Sequence, residues 1–136
     1  MRRVALLLIL FLGFLTPVRA GEDTKEVQGI IAAQMEALGR DDAEAAFAFA
    51  APALRDSFGA AEVFLLMVQR GYPAVYRHKS AEFGEIREAG GKIAQAVHLL
   101  DTNGIAWEAL YTLERQADGS LKITGCVLLK AVDGAA

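Results

Sequence analysis

The chain has a single cysteine, Cys126, among its 136 residues. An intramolecular disulfide is therefore impossible, and the fold has to be held together by an apolar core. A lone thiol can pair between chains or react. Because free cysteine is among the most buried residue types, we expect Cys126 to be structural.

Basic charge is also scarce. Fourteen Lys and Arg stand against seventeen Asp and Glu, and the formal net charge is −3. Binding to phosphate backbones or to anionic lipid requires a positive surface, which such a balance does not supply. Nucleic acid and membrane surfaces are therefore poor candidate partners.

The spacings that carry recognisable chemistry are missing as well. His78 and His98 are far apart, and the chain has no H-E-x-x-H or C-x-x-C motif. None of Ser57, Ser80 and Ser120 lies in a G-x-S-x-G elbow, and no glycine loop suits a phosphate. The sequence predicts no metal site, no cofactor and no catalytic residue that can be named.

An export signal is present at the N-terminus. Arg2 and Arg3 precede an uninterrupted run of apolar or small residues at 4–15, and Val18 and Ala20 form a small-residue cleavage site. The run is too short to cross a bilayer, which takes about 20 residues. We expect residues 1–20 to be a signal peptide cleaved after Ala20, and the mature chain to be periplasmic or secreted without a membrane span.

The first part of the mature chain has helical periodicity. It predicts helices at 23–39, at 43 to about 51, and at 52–59. A fourth helix at 60–70 is apolar on nearly every side, which predicts that it is buried under other layers.

From about residue 79 the period changes to two. Turn signals at 90–91, 102–104 and 117–119 separate four predicted strands, of which the first, near 83–87, alternates poorly and is expected at an edge. Helices followed by an antiparallel meander indicate an α+β fold, with the helices packed on one face of a curved sheet of about four strands. We expect one domain, residues 21–136.

On the predicted helix-facing side of the sheet, three side chains have polar tips: Gln95, Trp107 and Tyr111. They can line a pocket, or they can be core residues whose polar tips are hydrogen-bonded. Strand alternation assigns these faces, and a bulge would reverse it.

The opposite sheet face is unusually apolar. The residues assigned to it include Ala96, His98, Leu110, Cys126 and Leu128. Such a face fits a homodimer interface, and it fits scattered surface hydrophobes equally well. The alternation directs His98 away from the helix-facing side, so we do not assign it as a general base.

The connection between the fourth helix and the first strand concentrates polar and aromatic groups. Residues 70–78 include Tyr72, Tyr76 and Arg77 with a second arginine and a histidine. Such a segment at the mouth of a pocket can bind an anionic or aromatic small molecule. It can equally be a Gly-Tyr-Pro turn that ends a helix, with its arginines in water.

Three segments resemble a bacterial family of exported proteins, domain-of-unknown-function family 4864: IIAAQMEALGRDDAEAAFAFAAP, FGAAEVFLLMVQRGYPAVYR and YTLERQADGSLKITGCVLL. The resemblance covers nearly all of the mature chain. It implies a cone-shaped fold of the nuclear-transport-factor-2-like or cystatin-like kind, and it implies no activity. That fold hosts isomerases, dehydratases, cyclases and non-catalytic modules. Its enzymes use a His, Asp or Tyr inside the cone, for which the nearest candidates are Tyr111 and Tyr76.

Three hypotheses follow. The first is a non-enzymatic module that binds a small aromatic or anionic molecule, or a partner, through Tyr72, Tyr76, Arg77 and the three polar-tipped sheet residues. The second is a small-molecule isomerase, hydratase or cyclase that uses pocket tyrosines. The third is a structural or dimerisation module that acts through the outer sheet face.

Overall fold

The computed structural model describes residues 20–131, so the predicted signal peptide, apart from Ala20, lies outside the described residues. Within that range, helices precede strands along the chain. Their order is α1 (Ala20–Gly39), α2 (Ala43–Ala48), α3 (Pro52–Phe58), α4 (Ala61–Gly71), α5 (Pro73–Tyr76), β1 (His78–Ala89), β2 (Lys92–Asp101), β3 (Ala106–Arg115) and β4 (Leu121–Lys130). The predicted α+β order is confirmed, and α5 is a one-turn helix where the sequence indicated only a turn.

The strands form one antiparallel sheet in the order β1-β2-β3-β4, with β1 at an edge as expected. The β1–β2 and β3–β4 hairpins turn on Gly90, Gly91 and Gly119, which all have positive φ. A residue without a Cβ adopts that conformation freely, so the turn signals in the sequence mark the hairpins correctly.

Helix α1 starts before the predicted residue 23 and runs along the sheet, with Asp23 near the β1–β2 hairpin and Met35 near the start of β1. Its apolar stripe, including Val27, Ile31 and Leu38, is buried. Near its start, Asp23 and Glu26 form ion pairs with Arg115 at the end of β3, at 3.4 and 3.0 Å. These pairs tie the beginning of α1 to the sheet.

Helix α4 is not buried all round, contrary to the expectation from its composition. Ala61, Phe64 and Val68 are buried, whereas Val63 and Leu66 are 50% and 44% exposed. The helix lies on the outside of the helical layer, so only one side of it reaches the core. A run of apolar residues therefore did not specify burial here.

In the two central strands, the predicted alternation is confirmed. The inner side chains of β2 and β3 are buried against the helices: Ile93, Gln95, Val97, Leu99, Ala109, Tyr111 and Leu113. On the outer face, His98 is exposed and stands opposite Glu108. It points away from the helices, as expected.

In β4 the alternation is broken by one extra residue. Thr112 pairs with Gly125 and the next residue, Leu113, pairs with Ile123, so Thr124 is inserted into the strand. An insertion of one residue reverses the faces of everything that follows.

After that bulge, Cys126 stands opposite Tyr111 and Leu128 opposite Ala109, both packed against the core. The assignment of Cys126 and Leu128 to the outer face was therefore wrong. Val127 and Leu129 take the outer positions instead, with 53% and 52% exposure.

The bulge coincides with a contact between β4 and the helical half. The Ala51 backbone N–H donates to Ile123 O at 2.7 Å, and the Ile123 N–H donates to Phe49 O at 2.9 Å. The α2–α3 connection thus covers the free edge of β4 directly before the inserted residue. These paired groups hold the strand in place where it changes face.

Candidate functional site

A cavity of about 170 Å³ lies between the helices and the inner face of the sheet. Its wall is mostly apolar and comes from α1, α3, α4, α5, β3 and β4. The apolar residues are Leu38, Leu54, Phe58, Phe64, Met67, Val68, Val75 and Ile123. A space of this size and lining resembles apolar cavities that hold a single benzene-sized molecule.

Polar side chains reach the cavity from four residues, and none of its lining residues is charged. The Gln34 side chain is buried and donates through Nε2 to Ala46 O at 3.3 Å. The Tyr72 hydroxyl donates to Cys126 O at 3.0 Å. These two donors are therefore satisfied within the protein.

Tyr111 is different, because its hydroxyl is buried and has no hydrogen-bond partner within the part of the chain that the structure describes. The residue is 1% exposed. Burial, with a smaller contribution from the neighbouring Cys126 thiol, raises the pKa of Tyr111 well above its ordinary value. The phenol is thus neutral at physiological pH. A buried donor left unpaired costs free energy that a bound acceptor can recover.

Cys126 lines the same cavity beside Tyr111. Burial raises the pKa of its thiol to about 12. The thiolate, which is the reactive form, is therefore a negligible fraction at neutral pH. The Tyr111 hydroxyl lies close enough to this thiol to offset part of the rise in the thiol pKa, but the contact does not meet the geometry of a hydrogen bond, and a neutral thiol is only a weak acceptor. Cys126 is partly buried and packs against the core, on the face opposite to the predicted one.

Gln95, the first of the polar-tipped candidates, is fully buried, but its side-chain amide is hydrogen-bonded to backbone carbonyls outside the cavity. Its Nε2 donates to Ala96 O at 2.8 Å and to Gly84 O at 3.0 Å, with Glu85 O at 3.3 Å. Gly84 and Glu85 together stand opposite the single residue Ala96, which makes this a second bulge, in β1. The amide satisfies carbonyls that the bulge frees from the sheet.

Trp107, the second candidate, is held at the β2–β3 hairpin rather than in the cavity. Its indole Nε1–H donates to Asp101 Oδ2 at 2.9 Å. The other Asp101 oxygen accepts the backbone N–H groups of Asn103 and Ile105, at 2.8 and 2.9 Å. The hydrogen bond from Trp107, followed by those from the backbone, lowers the pKa of Asp101. This cluster fixes the hairpin.

Tyr76 and Arg77 lie in a separate, open groove of about 710 Å³ between α1 and the start of β1. Both are bound to Asp41, which has a positive φ in the α1–α2 turn. The Tyr76 hydroxyl donates to Asp41 Oδ1, and Arg77 pairs with Asp41 Oδ2 at 3.6 Å while lying over the Tyr76 ring. The guanidinium already has an anionic partner.

The six predicted pocket residues therefore divide. Tyr72 and Tyr111 line the cavity, while Tyr76 and Arg77 line the groove. Gln95 and Trp107, described above, complete hydrogen bonds at a bulge and a hairpin. The sequence analysis assigned these six residues to one pocket, whereas the fold places them in different parts of the structure.

Two of the four polar cavity residues were absent from the predicted pocket: Gln34 and Cys126. Gln34 stands in the apolar stripe of α1, and a lone polar residue in such a stripe is a signal that could have found it. Cys126 was assigned to the wrong face because residues 126–129 are all apolar. The sequence therefore gives no sign that the bulge at Thr124 changes which face each of them takes.

The fold and the cavity define the class: an α+β domain with helices over one face of a four-stranded antiparallel sheet and a small apolar cavity between them. The chain belongs to the family described as "Domain of unknown function (DUF4864)", whose sequence profile matches residues 20–136. The resemblance seen in the sequence is thereby confirmed.

A solved structure with a similar fold is Aln2 from a Streptomyces species. The two chains share 18% identity at a TM-score of 0.53, and the similarity covers 80% of this chain and 90% of Aln2. Identity this low establishes a shared fold alone. No curated protein matches the chain.

No helix within residues 20–131 is both long and apolar enough to span a bilayer. In the same range, no three or more His, Cys, Asp or Glu side chains converge in a way that could hold a metal ion.

Proposed function

We propose that the protein is a non-enzymatic module that binds a small, uncharged and largely apolar molecule in the cavity beneath Tyr111. The observation that carries this proposal is the Tyr111 hydroxyl, which is buried at the cavity wall without a partner among the described residues. Buried hydroxyls are rarely left unpaired, and exceptions are a common mark of functional sites.

The size and charge of the cavity support the same ligand type. A cavity of about 170 Å³ fits a molecule near the size of benzene, which occupies an engineered apolar cavity of roughly 150 Å³ in another protein. An anion is disfavoured, because no cationic side chain lines the space and a bare buried charge is costly. Of the two ligand types expected from the sequence, aromatic and anionic, the cavity therefore favours an uncharged aromatic or similarly apolar molecule.

The geometry favours binding over the enzymatic alternative. Tyr111 and Tyr76 line different spaces, so they do not act together on one substrate. Asp41, a carboxylate that contacts a phenol, is exposed and is bound to Tyr76, which lines the groove rather than the cavity. Beside Tyr111 the titratable neighbour is Cys126, whose raised pKa keeps the thiol protonated at neutral pH, so that it is not available as a general base.

The test is an amide NMR titration of residues 21–136 with benzene as the probe. Benzene should shift the amides of Ile123, Gly125 and Cys126, which line the cavity. Leu54→Trp places a larger side chain in the cavity and should abolish the shifts. Leu66→Trp is the matched control, because Leu66 is 44% exposed on α4 and lies outside the lining.

Retention of binding by Leu54→Trp, or absence of any saturable shift in the unmodified protein, would overturn the proposal. The groove provides an internal comparison. Arg77→Ala should leave benzene binding unchanged, since Arg77 lines the other space. Loss of binding in that variant would instead favour the segment predicted from the sequence.

We also propose that the chain is exported and cleaved after Ala20, on the strength of the N-terminal charge and apolar pattern. Expression of the full chain in a Gram-negative host should yield a product in the periplasmic fraction whose intact mass begins at Gly21. A product that retains Met1 in the cytoplasmic fraction would overturn this proposal.

A third proposal concerns the outer sheet face, where we infer an interface with a second copy of the chain. Leu110 and Val127 are cross-strand neighbours there, and the bulge turns Val127 and Leu129 outward. Ala96, also predicted for this interface, is in the same row but is only 5% exposed. A two-fold axis pairs such an apolar patch with itself without requiring complementary charge.

Light scattering over a dilution series tests the interface. Val127→Glu should convert a dimer to a monomer, whereas Val63→Glu should not, because Val63 has similar exposure (50% against 53%) but lies on α4. A monomer at every concentration of the unmodified protein would rule the interface out.

A further inference from the structure

The hydrogen-bonding groups of the cavity leave one strong donor unused. Gln34 Nε2 is engaged by Ala46 O, and the Tyr72 hydroxyl is engaged by Cys126 O. The Cys126 thiol is a weak donor and a weak acceptor. The Tyr111 hydroxyl is the strong donor of the lining that has no partner among the described residues.

We propose that the cavity selects a compact, uncharged molecule with one strong hydrogen-bond acceptor, of the ketone class, and that the Tyr111 hydroxyl donates to that acceptor. This inference rests on the proposed binding function and specifies its ligand. The remainder of the molecule is hydrocarbon, because the rest of the wall is apolar side chains, with the rings of Phe58 and Phe64 among them.

The direction of the hydrogen bond follows from the chemistry of a phenol. Its oxygen lone pair is partly delocalised into the ring, so the group donates more strongly than it accepts. A carbonyl oxygen accepts without bringing a donor of its own that would need a partner in the apolar wall. An alcohol or amide would bring such a donor into a site whose wall is mostly apolar.

A charged ligand does not fit the same surroundings. A carboxylate or phenolate would lie against a protonated phenol and a protonated thiol with no cation in the lining. The free-energy cost of desolvating that charge would exceed the free energy gained from one hydrogen bond. The acceptor is therefore neutral.

The experiment compares two isosteric probes, acetophenone and α-methylstyrene, in which C=O replaces C=CH₂. Dissociation constants are measured by NMR titration for the unmodified protein and for Tyr111→Phe. In Tyr111→Phe, acetophenone should bind about five- to tenfold more weakly than in the unmodified protein, which is the effect of one lost hydrogen bond. The affinity for α-methylstyrene should stay the same or rise.

The outcomes separate the inference from the function on which it rests. If both probes bind and Tyr111→Phe changes both affinities equally, the acceptor preference is wrong while the binding module stands. If neither probe binds either protein, or if Leu54→Trp still binds both, the binding function itself is wrong. Tyr111→Phe removes a hydroxyl that has no partner among the described residues, so the variant is expected to fold, and its circular dichroism checks this.

Discussion

Tyr111 and Cys126 face one another across β3 and β4, and both side chains line the cavity. The pair exists because Thr124 is bulged out of the β3–β4 pairing; with regular pairing beyond Leu113 and Ile123, Gly125 would stand opposite Tyr111 and the thiol would face outward. The bulge therefore places a partly buried thiol beside a buried phenol in the wall of the candidate site.

The phenol leads to a first prediction, on stability. Tyr111→Phe should raise the free energy of unfolding by about 1 kcal/mol in the ligand-free protein, because it removes a buried hydroxyl without a partner among the described residues. Tyr72→Phe makes the same chemical change where the hydroxyl donates to Cys126 O, and should lower it by about 1 kcal/mol. Urea unfolding followed by circular dichroism measures both. A destabilised Tyr111→Phe would mean that the hydroxyl has a partner.

The thiol leads to a second prediction, on reactivity. Because burial raises the pKa of Cys126 to about 12, its thiolate fraction at pH 8 is on the order of a thousandfold below that of an ordinary cysteine. A disulfide reagent such as DTNB should react with the native protein at least that much more slowly than with the urea-unfolded chain. Comparable rates in the two states would contradict the burial of this thiol.

Gln95 is predicted to be a structural residue of the β1 bulge. Gln95→Leu leaves the carbonyls of Gly84 and Ala96 without their buried donor and should lower the free energy of unfolding by about 2 to 3 kcal/mol. Gln116→Leu removes a single hydrogen bond, from Nε2 to Glu114 O, at a partly exposed turn, and should lower it by no more than about 1 kcal/mol. Chemical denaturation measures both free energies of unfolding. If the two variants are destabilised equally, Gln95 has no special role in stabilising the β1 bulge.

Asp101 is predicted to titrate below the ordinary carboxyl value of 3.8, chiefly because Trp107 donates to its charged form. The carboxylate's contribution to stability is therefore present above that value and is lost as the pH falls through the lower pKa of the folded protein. Trp107 is the single tryptophan, so its fluorescence reports this titration directly.

The unmodified protein should show an acid fluorescence transition with a midpoint below pH 3.8, while its far-ultraviolet circular dichroism is still native. Asp101→Asn keeps an acceptor oxygen and lacks the titration, so its folded-state fluorescence should stay constant over the same range. A transition that persists in Asp101→Asn would assign it to another group.

The candidate site was only partly predictable from the sequence. Tyr111 was placed on the helix-facing side because β3 alternates clearly, and the period of two in a strand is set by backbone geometry. Tyr76 and Arg77 were grouped with it because they are close to Tyr72 in the chain. The structure separates them, because α5 and the Asp41 contacts direct these two side chains to the groove.

The order of helices and strands, the hairpin turns, the inner faces of β2 and β3 and the family were all evident from the sequence, because periodicity, glycine turns and quoted motifs are local properties. The face that each β4 residue takes was not evident from the sequence, because residues 126–129 are all apolar and their pattern does not show which of them point inward. The pairing with β3 and the contact of Ile123 with the α2–α3 connection decide it. Those are contacts between residues distant in the chain, and only the folded structure forms them.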